Sequence, residues 1–350
     1  MFGWGSAQFV GSAALLMGAG VMLGGEWRLA LVAGLGLALS STAIGLGVLA
    51  ERNLMATTAG QNVLSVALLQ DMAAIPVLAI LPLLAVAGAA DGGGGWWGAA
   101  KALGVIAAII LVGRLLLRSA LRWIARSDTP EIFTAASLLL VVATAALMES
   151  VGLSMALGAF LAGVLLAESE YQRELETDLE PFKGLLLGLF FIAVGMSIDF
   201  AVVLNSPLLI AAVVFGFLLL KALVLMAMAR AMPVPLAEAP VFVILLAQGG
   251  EFGFVVFQTA LGAGVISPQA SSFLVAAVAI SMLLTPLLLV LVDRLLAPRL
   301  AARAQGRRWT KSPRTSMRRS SSAALAATDK SWAWCRRTLR KPPSSPARVM

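Results

Sequence analysis

Between Asn53 and Ala90 the chain carries a single charge, the carboxylate of Asp71, set in Val-Ala-Leu-Leu-Gln-Asp-Met-Ala-Ala-Ile-Pro within an apolar run long enough to cross a bilayer. An Asp at a helix centre in hydrocarbon costs roughly 2.5–3.5 kcal/mol on insertion scales, so such a residue faces a bundle interior or a wet cavity and marks an ion or proton path. Counted from Asn62, Asp71 lies nine residues in. That is about 13 Å along a helix, near the middle of a hydrocarbon core about 30 Å thick. A second intramembrane acid, Glu251, follows Gln248-Gly249-Gly250, and a hydroxyl cluster, Ser40-Ser41-Thr42, lies in another apolar run. Acids at membrane depth point to the handling of a cation or a proton.

Composition narrows the chemistry further. The chain is 60% hydrophobic and 13% charged and has no His, with a mean hydropathy of +0.93; a soluble domain carries about 25% charged residues. Without His, and with Cys335 as its one cysteine, it cannot assemble a zincin helix, a Ser-His or Cys-His nucleophile pair, or a Cys/His zinc cluster. A disulfide framework is likewise excluded. A membrane-embedded enzyme would have to work with carboxylates alone, Asp71 and Glu251 as an acid pair, and the chain is read as no enzyme.

Apolar windows of membrane length place about ten spans, near 5–23, 28–50, 62–88, 97–118, 131–149, 153–168, 183–199, 206–231, 238–263 and 270–296. The fold class is therefore an all-α, polytopic helical bundle. Arg114, Arg118, Arg122 and Arg126, then Lys221 and Arg230, then the C-terminal tail fall on one side, which the positive-inside rule makes cytoplasmic. The four arginines recur every fourth residue at a membrane edge, as inside anchors do, whereas voltage-sensor arginines recur every third within the span. From Arg299 onward there are fourteen Lys and Arg against one acid, Asp329, so the net charge of +8 belongs to the tail. Rich in Arg, Ser, Ala and Pro, the tail is expected to be disordered and cytoplasmic. It is read as an anchor beside membrane lipid, with no nucleic acid as partner. The domain division is thus 1–297 for the membrane domain and 298–350 for the tail.

Two spans read as broken helices. One carries Gly34, Gly36, Gly45 and Gly47 around Ser40-Ser41-Thr42, and the other carries Gln248-Gly249-Gly250-Glu251. Such breaks are tolerated at membrane depth where the backbone is buried in protein or lines a cavity. For the first segment alone, close packing through small residues is an equal alternative. Asp71-Met-Ala-Ala-Ile-Pro76 also reappears as Ser281-Met-Leu-Leu-Thr-Pro286, an offset of 210 residues that carries Ser41 onto Glu251. The charge count gives spans one to three and eight to ten opposite orientations, so the expected architecture has inverted repeats with a broken helix in each half. That is the plan of secondary transporters, whose site lies where the halves meet.

Five stretches together carry a family resemblance: residues 37–52, Leu-Leu-Gln70-Asp71-Met-Ala-Ala-Ile-Pro, residues 153–170, Glu180 through Asp199, and Gln248-Gly-Gly-Glu-Phe. They resemble the Kef-type glutathione-regulated potassium-efflux proteins of the cation:proton antiporter-2 family, over roughly residues 1–303. The resemblance implies a bacterial inner-membrane antiporter exchanging K⁺ or Na⁺ for H⁺, assembled as a homodimer. It gives Gln70 and Asp71 the role of carrying the transported ion or proton, and makes Glu174, Glu176, Asp178 and Glu180 a cytoplasmic loop that restrains transport.

The mechanism this suggests has one titratable group serving two ligands. As a carboxylate, Asp71 binds a dehydrated cation with help from Gln70 and the hydroxyls or carbonyls near Ser40, Ser41 and Thr42; protonated, it has no charge to offer, so cation and proton compete. Glu251, beside Gln248, is either a second titrating site or a neutral acid donating to carbonyls of the break.

Kef-type proteins normally begin with further membrane helices and end in a nucleotide-binding domain, and neither is visible here. Residues 320–333, read one base out of register, permit Val-Ile-Ile-Cys-Gly-Phe-Gly-Arg-Tyr-Gly-Gln-Val-Val-Gly, so the tail is expected to be an out-of-frame remnant of a dinucleotide-binding strand and glycine turn. No cofactor is expected on this chain. Two alternatives to exchange are a K⁺ channel-like conductor and a non-transporting truncated fragment.

Overall fold

The computed structural model describes residues 2–86, 104, 130–150, 154–167, 169, 172–232, 234–235 and 238–295. The expected span at 97–118, the four arginines from Arg114 to Arg126 and the basic tail lie outside the described residues. Among those described, twelve helices and no strand are present. They are α1 (Phe2–Met22), α2 (Trp27–Ala38), α3 (Thr42–Glu51), α4 (Thr58–Val86), α5 (Pro130–Ser150), α6 (Met155–Ala167), α7 (Gln172–Met196), α8 (Phe200–Asn205), α9 (Pro207–Ala231), α10 (Ala239–Ala247), α11 (Glu251–Gly262) and α12 (Pro268–Leu295).

Among the described residues, seven spans are long and apolar enough to cross a membrane, two of them each built from a pair of half-helices, and α5 and α6 supply two shorter apolar stretches. Seven of the ten expected spans are thus met at membrane length, and two more coincide with the shorter helices. The two broken spans are the most enclosed, with 67% of the most apolar stretch of Ala239–Gly262 and 56% of that of Trp27–Glu51 buried inside the bundle. Large apolar side chains such as Leu139, Val142, Leu185 and Leu208 face outward, as the outer surface of a bundle in lipid requires.

Both breaks fall where the sequence placed them. α2 stops at Ala38 because Leu39 turns extended (φ −68°, ψ 143°), and α3 restarts at Thr42 with the Ser41 hydroxyl accepting the Ile44 N–H at 3.2 Å. Paired serines favour this, since their hydroxyls compete for the backbone groups a helix would use. In the other half α10 stops at Ala247, Gln248 is extended (φ −63°, ψ 161°), and α11 restarts at Glu251 after two glycines. Its first-turn carboxylate suits the positive end of the half-helix.

The halves correspond element for element: α1, broken α2–α3 and α4 in one, α9, broken α10–α11 and α12 in the other. In each, a backbone N–H freed by the break is taken by a side chain of the long helix that follows. Ser40 N–H donates to Gln70 Oε1 of α4 at 2.8 Å, and Gly249 N–H donates to Ser281 Oγ of α12 at 3.0 Å. The halves thus share an architecture, although the echo pairs Ser281 with Asp71, so the two accepting side chains, Gln70 and Ser281, sit one residue out of its register.

The breaks touch backbone to backbone. A Cβ on Gly250 would lie 2.6 Å from the carbonyl carbon and oxygen of Ser40 and 3.0 Å from the Ser41 nitrogen. Those neighbours are main-chain atoms with no rotamer to retreat into, so a methyl group there must push the two broken spans apart. Gly250→Ala is expected to destabilise the bundle by about 1–3 kcal/mol, the usual range for overpacking, read as a fall in the midpoint of thermal unfolding in detergent. Gly262→Ala, whose Cβ would meet nothing within 4 Å, is the control and should leave that midpoint nearly in place.

Two expectations need correction. The acidic segment with Glu174, Glu176, Asp178 and Glu180 is not a loop but the opening turns of α7. Acids in a first turn favour the helix dipole, and Gln172 Nε2 donates to Glu176 Oε1 one turn on at 2.7 Å. Glu176 and Glu180 line a cavity of about 440 Å³ with Lys183, Gly163 and Leu138. The second correction concerns Lys221, counted above with Arg230 as a membrane-edge charge: it is fully buried in the middle of α9.

Candidate functional site

A break in a membrane helix frees carbonyls and N–H groups that have no water to turn to, and each must find a partner inside the protein. Here one ammonium group serves both breaks. Lys221 Nζ donates to Leu39 O at 3.0 Å, to Ser40 Oγ at 3.1 Å and to Gln248 O at 2.7 Å. Ser40 Oγ in turn donates to Leu246 O at 2.6 Å, tying the first break to the last turn of α10. The three donors of an ammonium suit this task.

The first turn of α3 gathers the two acids. Thr42 Oγ1 donates to Asp71 Oδ1 at 2.9 Å, and the next residue, Ala43, directs its N–H to Glu251 Oε1 at 3.4 Å. Asp71 is only partly buried, and through Thr42 and Ala43 it and Glu251 are bonded to neighbouring residues of one helix turn. Glu251 thus accepts from the first turn of α3 through Oε1. Two acceptor atoms at the crossing have no partner, Glu251 Oε2 and Gln248 Oε1, while Gln248 Nε2 donates to Leu245 O at 3.2 Å. Carboxylate and amide oxygens left open in this way, on either side of the Gly249-Gly250 break, are ligands of the kind a hard cation takes.

All seven residues singled out from the sequence lie at this crossing, in different postures. Asp71, Thr42 and Glu251 converge on the α3 terminus. Ser41 caps that terminus, and Ser40 is bonded to α4, α9 and α10. Gln70 points away from the acids: its oxygen holds the Ser40 N–H, and its Nε2 donates to Gln8 Oε1 of α1 at 2.6 Å. Sequence reasoning missed Lys221 and Gln8. The signal for Lys221 was the one that exposed Asp71, an isolated charge within a 25-residue apolar span, but it was read as an edge charge. Gln8 carried a weaker signal, a lone amide in an apolar helix.

A cavity of about 570 Å³ lies alongside, between α11 and the helices α5 to α7, with Glu149, Ser154, Gln258 and Thr259 as its polar lining. Phe254, Val255, Gln258, Thr259 and Gly262 face it at the three- and four-residue spacing that continues from Glu251 along one side of a helix. Phe254 and Phe190, 6.0 Å apart between ring centroids, line it together.

The family model described as sodium/hydrogen exchanger, transmembrane, matches residues 1–292. Over 296 residues the chain is 49% identical to the glutathione-regulated potassium-efflux system protein KefC of Cronobacter sakazakii. It is 50% identical to the proteins of the same name from Shigella sonnei and Escherichia coli over the same length. Each alignment takes in 84% of this chain and 48% of the relative. The chain thus spans about half the length of the curated relatives it matches.

Proposed function

Because this chain belongs to the transmembrane sodium/hydrogen exchanger family, we propose that it exchanges a monovalent cation, K⁺ before Na⁺, for a proton at Asp71, as a multi-pass protein of a bacterial inner membrane with its C-terminus in the cytoplasm. The observation that carries the reading is the placement of Asp71 on Thr42, at the crossing of two broken helices. K⁺ is put first because the relatives are named for potassium efflux.

The physical logic is competition for one carboxylate. Ionised, Asp71 offers charge to a cation that has shed water, with the Thr42 hydroxyl and the open oxygens of Gln248 and Glu251 as neighbouring donors. Protonated, it releases the cation. The N-terminal ends of α3 and α11 bring positive dipole ends to the crossing, which favours a carboxylate there. Opening the site alternately to either face turns competition into exchange. The cavity lined by Glu149 and Gln258 is the approach on one face.

The test is proton flux in everted membrane vesicles containing this chain. A K⁺ pulse is expected to dissipate an imposed pH gradient, with the half-saturating K⁺ concentration rising as pH falls, because protons then hold more of the site. K⁺ movement down its own gradient with no proton movement would establish the channel-like alternative instead.

A further inference from the structure

Gln70 sits beside Asp71 in the chain, yet its amide is spent elsewhere, and where it is spent identifies a residue that no motif marks. Gln70 is 1% exposed and Gln8 is 0% exposed. The backbone N–H of Ser40 is a donor and accepts nothing, so the atom facing it must be the oxygen of the Gln70 amide. The NH₂ of Gln70 is then turned toward α1, and Gln8 must present oxygen to it. The NH₂ of Gln8 is left to donate to Ser12 Oγ, one turn on, at 3.1 Å. The polarity of the whole buried chain, Ser12, Gln8, Gln70, Ser40, is fixed by that one main-chain hydrogen.

We infer that Gln8 is a positioning residue of the exchange site: by locking the Gln70 amide it holds the unwound Ser40 in register, and through it the α3 terminus that carries Thr42 to Asp71. The inference rests on the exchange reading above and deepens it. Ser40 joins every element at the crossing. Its N–H goes to α4, its hydroxyl to Leu246 of α10, and its hydroxyl oxygen also accepts from Lys221 of α9. Two residues later Thr42 meets Asp71. Freed from Gln8, the Gln70 amide can rotate, the Ser40 N–H loses a fixed acceptor, and the distance from Thr42 to Asp71 is no longer set. Gln8 itself touches neither acid in any recorded hydrogen bond, so its effect falls on how well the site fits a cation.

Three variants test this in the full chain. Gln8→Leu keeps bulk but leaves the Gln70 NH₂ without its acceptor. An unmet buried donor is worth about tenfold or more in an equilibrium. The half-saturating K⁺ concentration is therefore expected to rise about tenfold, with the maximal exchange rate changed far less. Gln8→Glu restores the pattern, because a neutral carboxyl accepts from Gln70 and donates to Ser12, so it should return K⁺ dependence to near wild type. Ser12→Ala removes the far end of the chain and should shift K⁺ dependence in the same direction by less. K⁺-dependent thermal stabilisation of the purified protein provides a second readout of binding, one that does not need transport, and it shows whether Gln8→Leu is folded.

Wild-type K⁺ dependence in Gln8→Leu, or a defect in Gln8→Glu equal to that of Gln8→Leu, overturns the inference while the exchange reading stands. A wild-type chain showing neither flux nor K⁺-dependent stabilisation overturns the exchange reading, and this inference with it.

Discussion

Asp71→Asn is expected to abolish cation-driven proton movement, leaving vesicles that carry the variant indistinguishable from vesicles without the protein. Asparagine preserves the volume of the side chain and can still accept from Thr42 Oγ1, so the packing around 2.9 Å of hydrogen bond survives. What it removes is the ability to exist in two charge states. A neutral amide neither gives a dehydrated cation a counter-charge nor gains and loses a proton near neutral pH. The loss should therefore appear in the maximal rate and not be recoverable by raising K⁺. Asp71→Glu, which keeps the charge but moves it by one methylene, is expected to retain exchange at a reduced rate. Flux in Asp71→Asn equal to wild type would mean that the chain does not exchange through this site, as a non-transporting fragment would show.

Lys221→Met should be the most destabilising substitution in the bundle. Methionine matches the length of the buried stem but deletes donations to Leu39 O, Ser40 Oγ and Gln248 O at once. Two of those acceptors are carbonyls of the breaks, at a depth where no water replaces the donor. Leaving a buried acceptor without its donor costs about 1–3 kcal/mol, and here two carbonyls and a hydroxyl lose theirs together. A loss of that size should appear as a large drop in the unfolding midpoint in detergent, with poor recovery of monodisperse protein. A variant unfolding within a degree or two of wild type would show that the breaks satisfy themselves without the ammonium. The contrast with Asp71→Asn is informative, since one variant should keep the fold and lose exchange and the other should lose the fold first.

The sequence disclosed the parts of this protein that violate the rules of apolar helices. Asp71 was legible because a lone charge in a 30 Å slab of hydrocarbon has few physical excuses, and both breaks were legible because Ser-Ser and Gly-Gly interrupt an otherwise continuous pattern. The repeat was visible through two residues of a six-residue echo, and the structure explains why it was so faint: the halves do similar work from positions one residue out of the 210-residue offset and with different chemistry, the Gln70 amide oxygen in one half and the Ser281 hydroxyl in the other. Partner choice was not legible. Spacing along one helix says nothing about whether Gln70 faces the acid beside it in sequence or an amide 62 positions away. Lys221 was misplaced for a related reason, because charge counting assigns a lysine near a span to an edge and cannot see three acceptors waiting in the interior. The acidic turn of α7 is a loop only by family resemblance, whereas the residues themselves, acids opening an apolar run, favour a helix start.

Where α6 meets α11, Ser154 and Thr259 place their hydroxyls 3.1 Å apart, and either can be the donor. A single neutral hydrogen bond of this kind contributes about 1 kcal/mol. The contrast with the crossing is mechanical. There, one side chain ties three elements together, whereas this seam rests on a single interchangeable hydrogen bond and is the easier of the two to part.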